Sequence, residues 1–212
     1  MKVKIIAFLT ISCLFTFSSA CAGWAKKPEF RLTHLYRYDL RQDFRSLYSD
    51  RVSIAFTYLD SQEKPLFKLM PFFEIRRNVE RDFWVRKEAG IEIGKDVFSW
   101  LYLGESIQKI WMKEDFRNWN PPMYETIDRM ELEARLCFSH ILLSARNFKL
   151  KGFLLEEYTF DVDDGKGTLN EVAAGVILPI GKYIETALNW RHTDRVPYYD
   201  SDSVEVSLSL VF

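Results

Sequence analysis

Long stretches of this chain alternate apolar and polar residues with a period of two. The final segment shows the pattern most clearly, with Val204, Val206, Leu208, Leu210 and Phe212 on one parity and Glu205, Ser207, Ser209 and Val211 on the other. A period of two puts alternate side chains on opposite faces of a β-strand, whereas it would scatter the apolar residues around a helix. The alternation therefore predicts two-faced strands.

Nine further segments show the same period, some less regularly, and give ten candidate strands in all. They are residues 30–42, 52–58, 67–77, 83–94, 98–112, 126–138, 149–162, 172–180 and 184–192. Short hairpin connections between them favour consecutive antiparallel pairing. The prediction is an all-β fold of about 10 strands, within a range of about 8 to 12.

Composition and motifs exclude several classes of function. Lys and Arg total 29 against 30 Asp and Glu, so the chain lacks the positive field of a nucleic-acid-binding protein. The sequence contains no P-loop, GxGxxG, EF-hand, HExxH or GxSxG motif, and its three cysteines lack CxxC spacing. We therefore expect no cofactor, no metal site and no nucleic-acid partner.

The N-terminus has the three regions of a secretory signal peptide. Lys2 and Lys4 form a basic start, residues 5–17 are apolar, and residues 18–23 are small. The apolar run is too short for a membrane-spanning helix, which needs about 20 residues. We predict that residues 1–22 are a signal peptide.

The processing site has two interpretations. Cleavage after Ala22 fits the small residues before it, whereas the residues before Cys21 resemble a weak lipoprotein box. Lipidation of Cys21 would normally require an aliphatic residue where Ser18 stands. Both alternatives remain open at this stage.

The last strand resembles the C-terminal assembly signal of bacterial outer-membrane β-barrels. The residues that carry this resemblance are Leu208, Leu210 and the terminal Phe212. A sheet with two free edges would aggregate, and hydrocarbon offers no water to the backbone, so closure satisfies both constraints. We predict that residues 23–212 form a single antiparallel up-and-down transmembrane barrel in the outer membrane.

The predicted connections fall into a longer and a shorter set, as expected for external loops and periplasmic turns. The longer set comprises residues 43–49, 78–82, 113–123, 163–167 and 194–202. The shorter set comprises residues 61–65, 95–97, 140–148 and 181–182. Residues 140–148 break the rule, for which a bulge or a misassigned register is the alternative interpretation.

If the apolar parity faces lipid, the other parity places charges of both signs in the lumen. The predicted interior residues are Lys68, Glu74, Arg76, Arg86, Glu88, Glu92, Arg129, Glu131, Glu133, Arg135, Glu185, Asn189 and Arg191. Side chains just fill a barrel of eight strands, and open channels begin near 16 strands. Buried charges persist when they are paired, so we expect an Arg–Glu network instead of a free pore.

Over nearly the whole mature length the chain is similar to small outer-membrane β-barrels of Gram-negative-type bacteria, particularly an uncharacterised family of about this size. The similar stretches are Leu154–Tyr158, Asn170-Glu171 with Gly175, and Trp190–Arg195. The resemblance implies a fold, an outer-membrane location and contact with outer-membrane lipids, lipopolysaccharide and the barrel-assembly machinery. It implies no activity, because the family has none agreed.

Two other functions remain alternatives. A lipid acyl hydrolase or acyltransferase would use His192 as its general base, with Asp194 two residues later in the sequence. However, no Ser lies at the distance from a His in the sequence that the nucleophile of such enzymes has. His34 and His140 are the other histidines. A soluble periplasmic lipocalin-like carrier would present the apolar face inward, and the period of two does not distinguish the two orientations.

A surface partner is expected at residues 113–123. This segment contains Phe116, Trp119 and two prolines, an apolar and stiff composition suited to binding. A lid folded over the barrel mouth is the alternative for the same residues. With neither a nucleophile nor a cofactor motif, the sequence favours a structural or surface-interaction role over catalysis.

Overall fold

The computed structural model describes residues 23–24, 28–41, 46–79, 84–113, 126–145, 148–195 and 199–212. The predicted signal peptide, with Cys21, lies outside the described residues, as does the predicted contact segment apart from Lys113.

Every regular element of the described residues is a β-strand. The strands are β1 (Gly23–Trp24), β2 (Glu29–Asp39), β3 (Leu47–Leu59), β4 (Pro65–Asn78), β5 (Trp84–Phe98), β6 (Leu101–Lys113), β7 (Thr126–Ala145), β8 (Phe148–Asp161), β9 (Lys166–Ile180), β10 (Ile184–Arg195) and β11 (Tyr199–Val211). The described chain contains no helix that is long and apolar enough to cross a membrane.

Strands β2 to β11 form a closed antiparallel barrel in which each strand pairs with its neighbours in sequence. Pairing of β2 with β11 closes the ring, and at its end the backbones of Phe30 and Phe212 exchange two hydrogen bonds of 3.0 and 2.9 Å. The short β1 pairs with the end of β3. The predicted fold class, a single up-and-down barrel of about ten strands, is confirmed.

The hairpin connections divide between two rims. One rim lies where β2, β4, β6, β8 and β10 end, with the described connecting residues 40–41, 46, 79 and 162–165. The other rim lies where β3, β5, β7 and β9 end, with the described connecting residues 60–64, 99–100 and 181–183. We call these the long rim and the short rim. Gly165 and Gly181 adopt positive φ in two of these turns, a conformation that glycine allows without strain.

Three predicted connections are wrong. Residues 95–97 lie inside β5. Residues 140–145 and Phe148 belong to strands, because β7 continues to Ala145 and β8 begins at Phe148. A bulge between Ile141 and Leu143 shifts the register there, and this interrupts the period of two on which the prediction relied. Of the connection predicted at residues 194–202, residues 194–195 and 199–202 belong to strands, since β10 and β11 pair as far as Arg195 and Tyr199.

Gly175 lies where the backbones of β9 and β10 approach closely. A Cβ atom at this position would overlap the carbonyl oxygen of Leu188 and the Cβ of Asn189. We expect Gly175→Ala to lower the free energy of unfolding by about 1–3 kcal/mol, since backbone has to move. Gly152→Ala is the matched control, because its Cβ would meet only the flexible end of Leu142. Equal urea midpoints for the two variants in detergent would contradict the assignment.

Candidate functional site

The two faces of the barrel wall differ in the sense opposite to that of a water-soluble protein. Among the described residues, the buried apolar side chains are Phe72, Ile110, Leu169 and Ala173, whereas 22 polar or charged residues are buried. On the outer face, Val206 is 52% exposed and Leu188 51% exposed. The interior, where the charged groups converge, is therefore the candidate functional site.

Arg191 of β10 bridges three carboxylates inside the barrel. Its guanidinium lies 2.6 Å from Glu157, 2.9 Å from Glu171 and 3.1 Å from Glu205. Arg37 of β2 contacts two of the same carboxylates, Glu205 at 2.5 Å and Glu171 at 3.5 Å. Since β2 and β9 are not neighbours, Arg37 and Glu171 meet across the lumen.

Arg135 of β7 extends these contacts around the barrel. It lies 2.7 Å from Glu157, 2.8 Å from Glu92 and 3.0 Å from Glu133. Glu92 belongs to β5, which is separated from β7 by β6, so this contact also crosses from one strand to a non-adjacent one.

Arg51 of β3 links Glu92 to a further carboxylate, Glu74. Its guanidinium lies 3.5 Å from Glu92 and 3.6 Å from Glu74, and 4.0 Å from the centre of the Phe72 ring. The ring therefore gives the arginine a cation–π contact as well as two anions.

The other ion pairs connected to these contacts join residues of β4, β5, β7 and β8. They are Arg76–Glu74 (2.7 Å), Arg76–Glu88 (2.9 Å), Arg86–Glu88 (2.5 Å), Arg86–Glu131 (3.0 Å), Arg129–Glu131 (2.8 Å) and Arg129–Asp161 (3.3 Å). We call the whole connected set, from Arg37 to Asp161, the ion-pair network. Each arginine in it contacts at least two carboxylates, which offsets the cost of removing these charges from water.

Neutral donors bind the remaining carboxylate oxygens. The hydrogen bonds are Ser49 to Glu74 (2.6 Å), Tyr102 to Glu92 (2.6 Å), Asn189 to Glu205 (2.7 Å) and Thr193 to Glu171 (2.8 Å). These donors matter because the carboxylates outnumber the arginines. The arrangement holds many fixed charges in place.

The structure brings together ten of the charged residues that the sequence assigns to the lumen. Glu74, Arg76, Arg86, Glu88, Glu92, Arg129, Glu131, Glu133, Arg135 and Arg191 all belong to the ion-pair network. Lys68 and Glu185 do not, since Lys68 pairs with Asp96 at 3.0 Å and Glu185 with Arg31 at 2.7 Å.

Sequence analysis missed six members of the network. They are Arg37, Arg51, Glu157, Asp161, Glu171 and Glu205. Glu205 has the same parity as Ser207 in the final strand, so its inward orientation was predictable from the sequence. Glu156 and Glu157 are adjacent, and alternation alone does not decide which of the two faces inward.

The predicted assembly signal lies on the outer face of β11. Leu208 is 47% and Phe212 56% exposed, while Leu210 is half-buried. The Phe212 ring lies 6.3 Å from the Phe30 ring and 6.0 Å from the Tyr183 ring, centre to centre. These aromatic residues surround the point where the barrel closes.

His192 lies on the outer face, where its ring stacks on Trp190 at 6.1 Å between centres. Its Nδ1 is 3.0 Å from an oxygen of Asp202, not of Asp194 as the enzyme hypothesis assumed. His34 makes a similar outer-face pair with Asp50 at 2.7 Å. In the described chain, both of these hydrogen bonds join the imidazole ring to a carboxylate.

Clustered carboxylates are ligands that metal ions use in proteins. Among the residues described by the structure, no group of three or more His, Cys, Asp or Glu side chains is arranged to hold a metal ion. The arginines lie between the carboxylates and neutralise the negative charge that a metal cation would otherwise need for binding.

No protein-family model and no curated protein matches the chain. Among solved structures, it is similar to a NanC porin, with 11% identity, a TM-score of 0.41, and coverage of 87% of this chain and 99% of that one. A bacterial polysaccharide outer-membrane secretin matches with 14% identity, a TM-score of 0.46, and coverage of 90% and 68%. The β domain of the Bordetella autotransporter BrkA matches with 9% identity, a TM-score of 0.36, and coverage of 90% and 99%. These neighbours are outer-membrane β-barrels.

Proposed function

We propose that the protein is an integral outer-membrane β-barrel with a structural or surface-interaction role. We further propose that charged side chains fill its interior and leave no open pore. The observation that carries this proposal is the polarity of the wall, with apolar side chains exposed outside and paired charges buried inside. Hydrocarbon stabilises such an exterior, whereas water would not.

Contacts across the lumen support a filled interior. Arg37 reaches Glu171, and Arg135 reaches Glu92, from strands that are not neighbours. Glu92 and Glu205 are 2% and 1% exposed, so water has little access at this level. A barrel of about ten strands encloses little more space than its own side chains occupy.

The proposed partners follow from the same location. The apolar wall would contact membrane lipid and lipopolysaccharide, and Leu208, Leu210 and Phe212 would be read by the barrel-assembly machinery. For a surface partner we propose residues 113–123, which begin at the end of β6 at the long rim. If the long rim is external, the start of β2 and the end of β11, which lie at the short rim, face the periplasm.

A direct test is electrophoresis of the purified protein with and without boiling. We expect the unboiled protein to migrate anomalously and to need detergent for extraction, since a closed barrel resists dissociation in the cold. A lipocalin-like carrier would instead appear in the periplasmic fraction.

Conductance in planar bilayers tests the filled interior separately. We expect no steady current from the folded protein, because the ion-pair network occupies the lumen. Stable ohmic steps from heat-modifiable protein would refute the filled interior while leaving membrane insertion standing.

A further inference from the structure

Strand β7 extends beyond its neighbour β6 at the short rim. Their pairing ends at Leu101 and Phe138, followed by one hydrogen bond from the Ser139 amide to the Trp100 carbonyl oxygen at 2.8 Å. Residues 140–145 continue as a strand and pair with β8. Within the described part of the chain, no strand pairs with the other edge of residues 140–145. We call this the tip edge.

The tip edge carries large apolar side chains that the barrel does not cover. Ile141, Leu142 and Leu143 are 46%, 59% and 54% exposed. Beside them, Trp100 stacks between Phe98 at 5.2 Å and Phe138 at 5.9 Å, ring centre to ring centre, and all three rings are exposed. Natural proteins usually protect a free edge with inward charges, proline or covering segments. This edge has neither charge nor proline.

The sequence on both sides of residues 140–145 carries charge of one sign. Residues 138–155 contain no Asp or Glu, whereas they include Arg146, Lys149 and Lys151. The apolar stretch is therefore flanked by positive charge, which favours an acidic partner.

Neither water nor lipid satisfies the whole tip edge. Water would bind the backbone groups but leave Ile141, Leu142 and Leu143 exposed. Hydrocarbon would cover these side chains but leave the backbone groups without hydrogen-bond partners, which is unfavourable. An added strand provides both kinds of contact at once.

A second copy of the chain does not fit this edge. The two-fold axis that relates two antiparallel neighbouring strands is perpendicular to their sheet, and in a barrel wall this direction lies in the membrane plane. Such an axis would invert one barrel with respect to the other, which two copies in the same membrane cannot do. Two tip edges therefore cannot pair with each other, and the flanking positive charge favours an acidic strand of a different protein as the occupant.

We propose that residues 140–145 are a β-augmentation site for an extended segment of a partner protein on the short-rim side. The segment carries apolar residues at alternate positions and acidic residues at its flanks. This inference goes beyond the proposed function, since neither the filled interior nor the apolar wall requires it.

The test uses the full barrel in detergent and an eight-residue peptide in which valine and threonine alternate between terminal glutamates. We expect hydrogen exchange at the amides of residues 140–145 to slow by about tenfold at saturating peptide. Peptides N-methylated on one alternating set of amides should lose at least about tenfold in affinity, whereas methylation of the other set should be tolerated. Only strand pairing distinguishes the two edges of a peptide in this way.

Variants of the tip supply the matched controls. Ser144→Pro removes an amide from the tip edge and should abolish peptide binding, whereas Leu154→Ala on the outer wall should leave binding unchanged. Electrophoretic heat modifiability of each variant reports separately whether the barrel is folded, so loss of the barrel is not mistaken for loss of the site.

Three results would overturn the proposal. They are failure of the unmethylated peptide to bind, equal binding of the two methylated peptides, and slowed exchange of residues 140–145 in phospholipid nanodiscs without peptide. The last result would assign the tip to the bilayer.

Discussion

Arg191→Met is expected to destabilise the barrel by about 3–5 kcal/mol, because it leaves buried charges without their partner. The guanidinium lies within 3.1 Å of Glu157, Glu171 and Glu205, and Glu205 is 1% exposed. Methionine fills similar space but supplies no donor. Urea unfolding in detergent micelles, followed by tryptophan fluorescence and by electrophoretic migration, would measure the loss.

Arg31→Met is the matched control. The Arg31 side chain is 37% exposed and its partner Glu185 is 29% exposed, at a contact of 2.7 Å. We expect this variant to lose less than about 1 kcal/mol, as solvent screens the pair. In the Arg191→Met background, Glu157→Gln should recover part of the loss, because one unpaired charge is removed. Equal losses for the two arginine variants would argue against a buried network.

Val206→Lys is expected to cost about 2–4 kcal/mol, since it places a charge against hydrocarbon near the middle of β11. Val206 is 52% exposed on the outer face and pairs with Leu188 and Tyr36 on the adjacent strands. Folding of the variant into lipid vesicles, titrated with urea, would measure the effect.

Ile180→Lys is the matched control for this substitution. Ile180 ends β9 at the short rim and is 50% exposed, nearly the same as Val206. A membrane barrel predicts about 0–1 kcal/mol at this position, because the cost of a lysine falls toward the interface. A water-exposed wall would make both substitutions nearly neutral, within about 0.5 kcal/mol. Similar small effects at both positions would therefore contradict membrane insertion.

The strand pattern was predictable because it depends on local order in the sequence. In residues 204–212 each side chain lies on the face that its parity assigns, and Phe212 closes the barrel against Phe30. The prediction failed at residues 140–148, where a bulge interrupts the period and the strand continues. A bulge is set by the pairing between β7 and β8, which the period does not encode.

The members of the network were less predictable than the strands. Parity placed Arg135 and Glu92 inside, but it did not indicate that they lie 2.8 Å apart. Their contact depends on the stagger of the strands around the ring, which is a property of the closed barrel. Arg51 was missed because it precedes the regular alternation of residues 52–58, although β3 places it beside Glu74.

By itself, the sequence determined that the chain forms alternating strands and which side chains share a face, because neighbouring residues on a strand necessarily point in opposite directions. It did not determine which face is outside, since a lipocalin-like barrel and a membrane barrel have the same period. Only closure of β2 against β11 decided this, by enclosing Glu205 and its partners and leaving Val206 exposed. Closure also selected the ion pairs, because long-range register brings together charges from β2, β9 and β10 that are far apart in the chain.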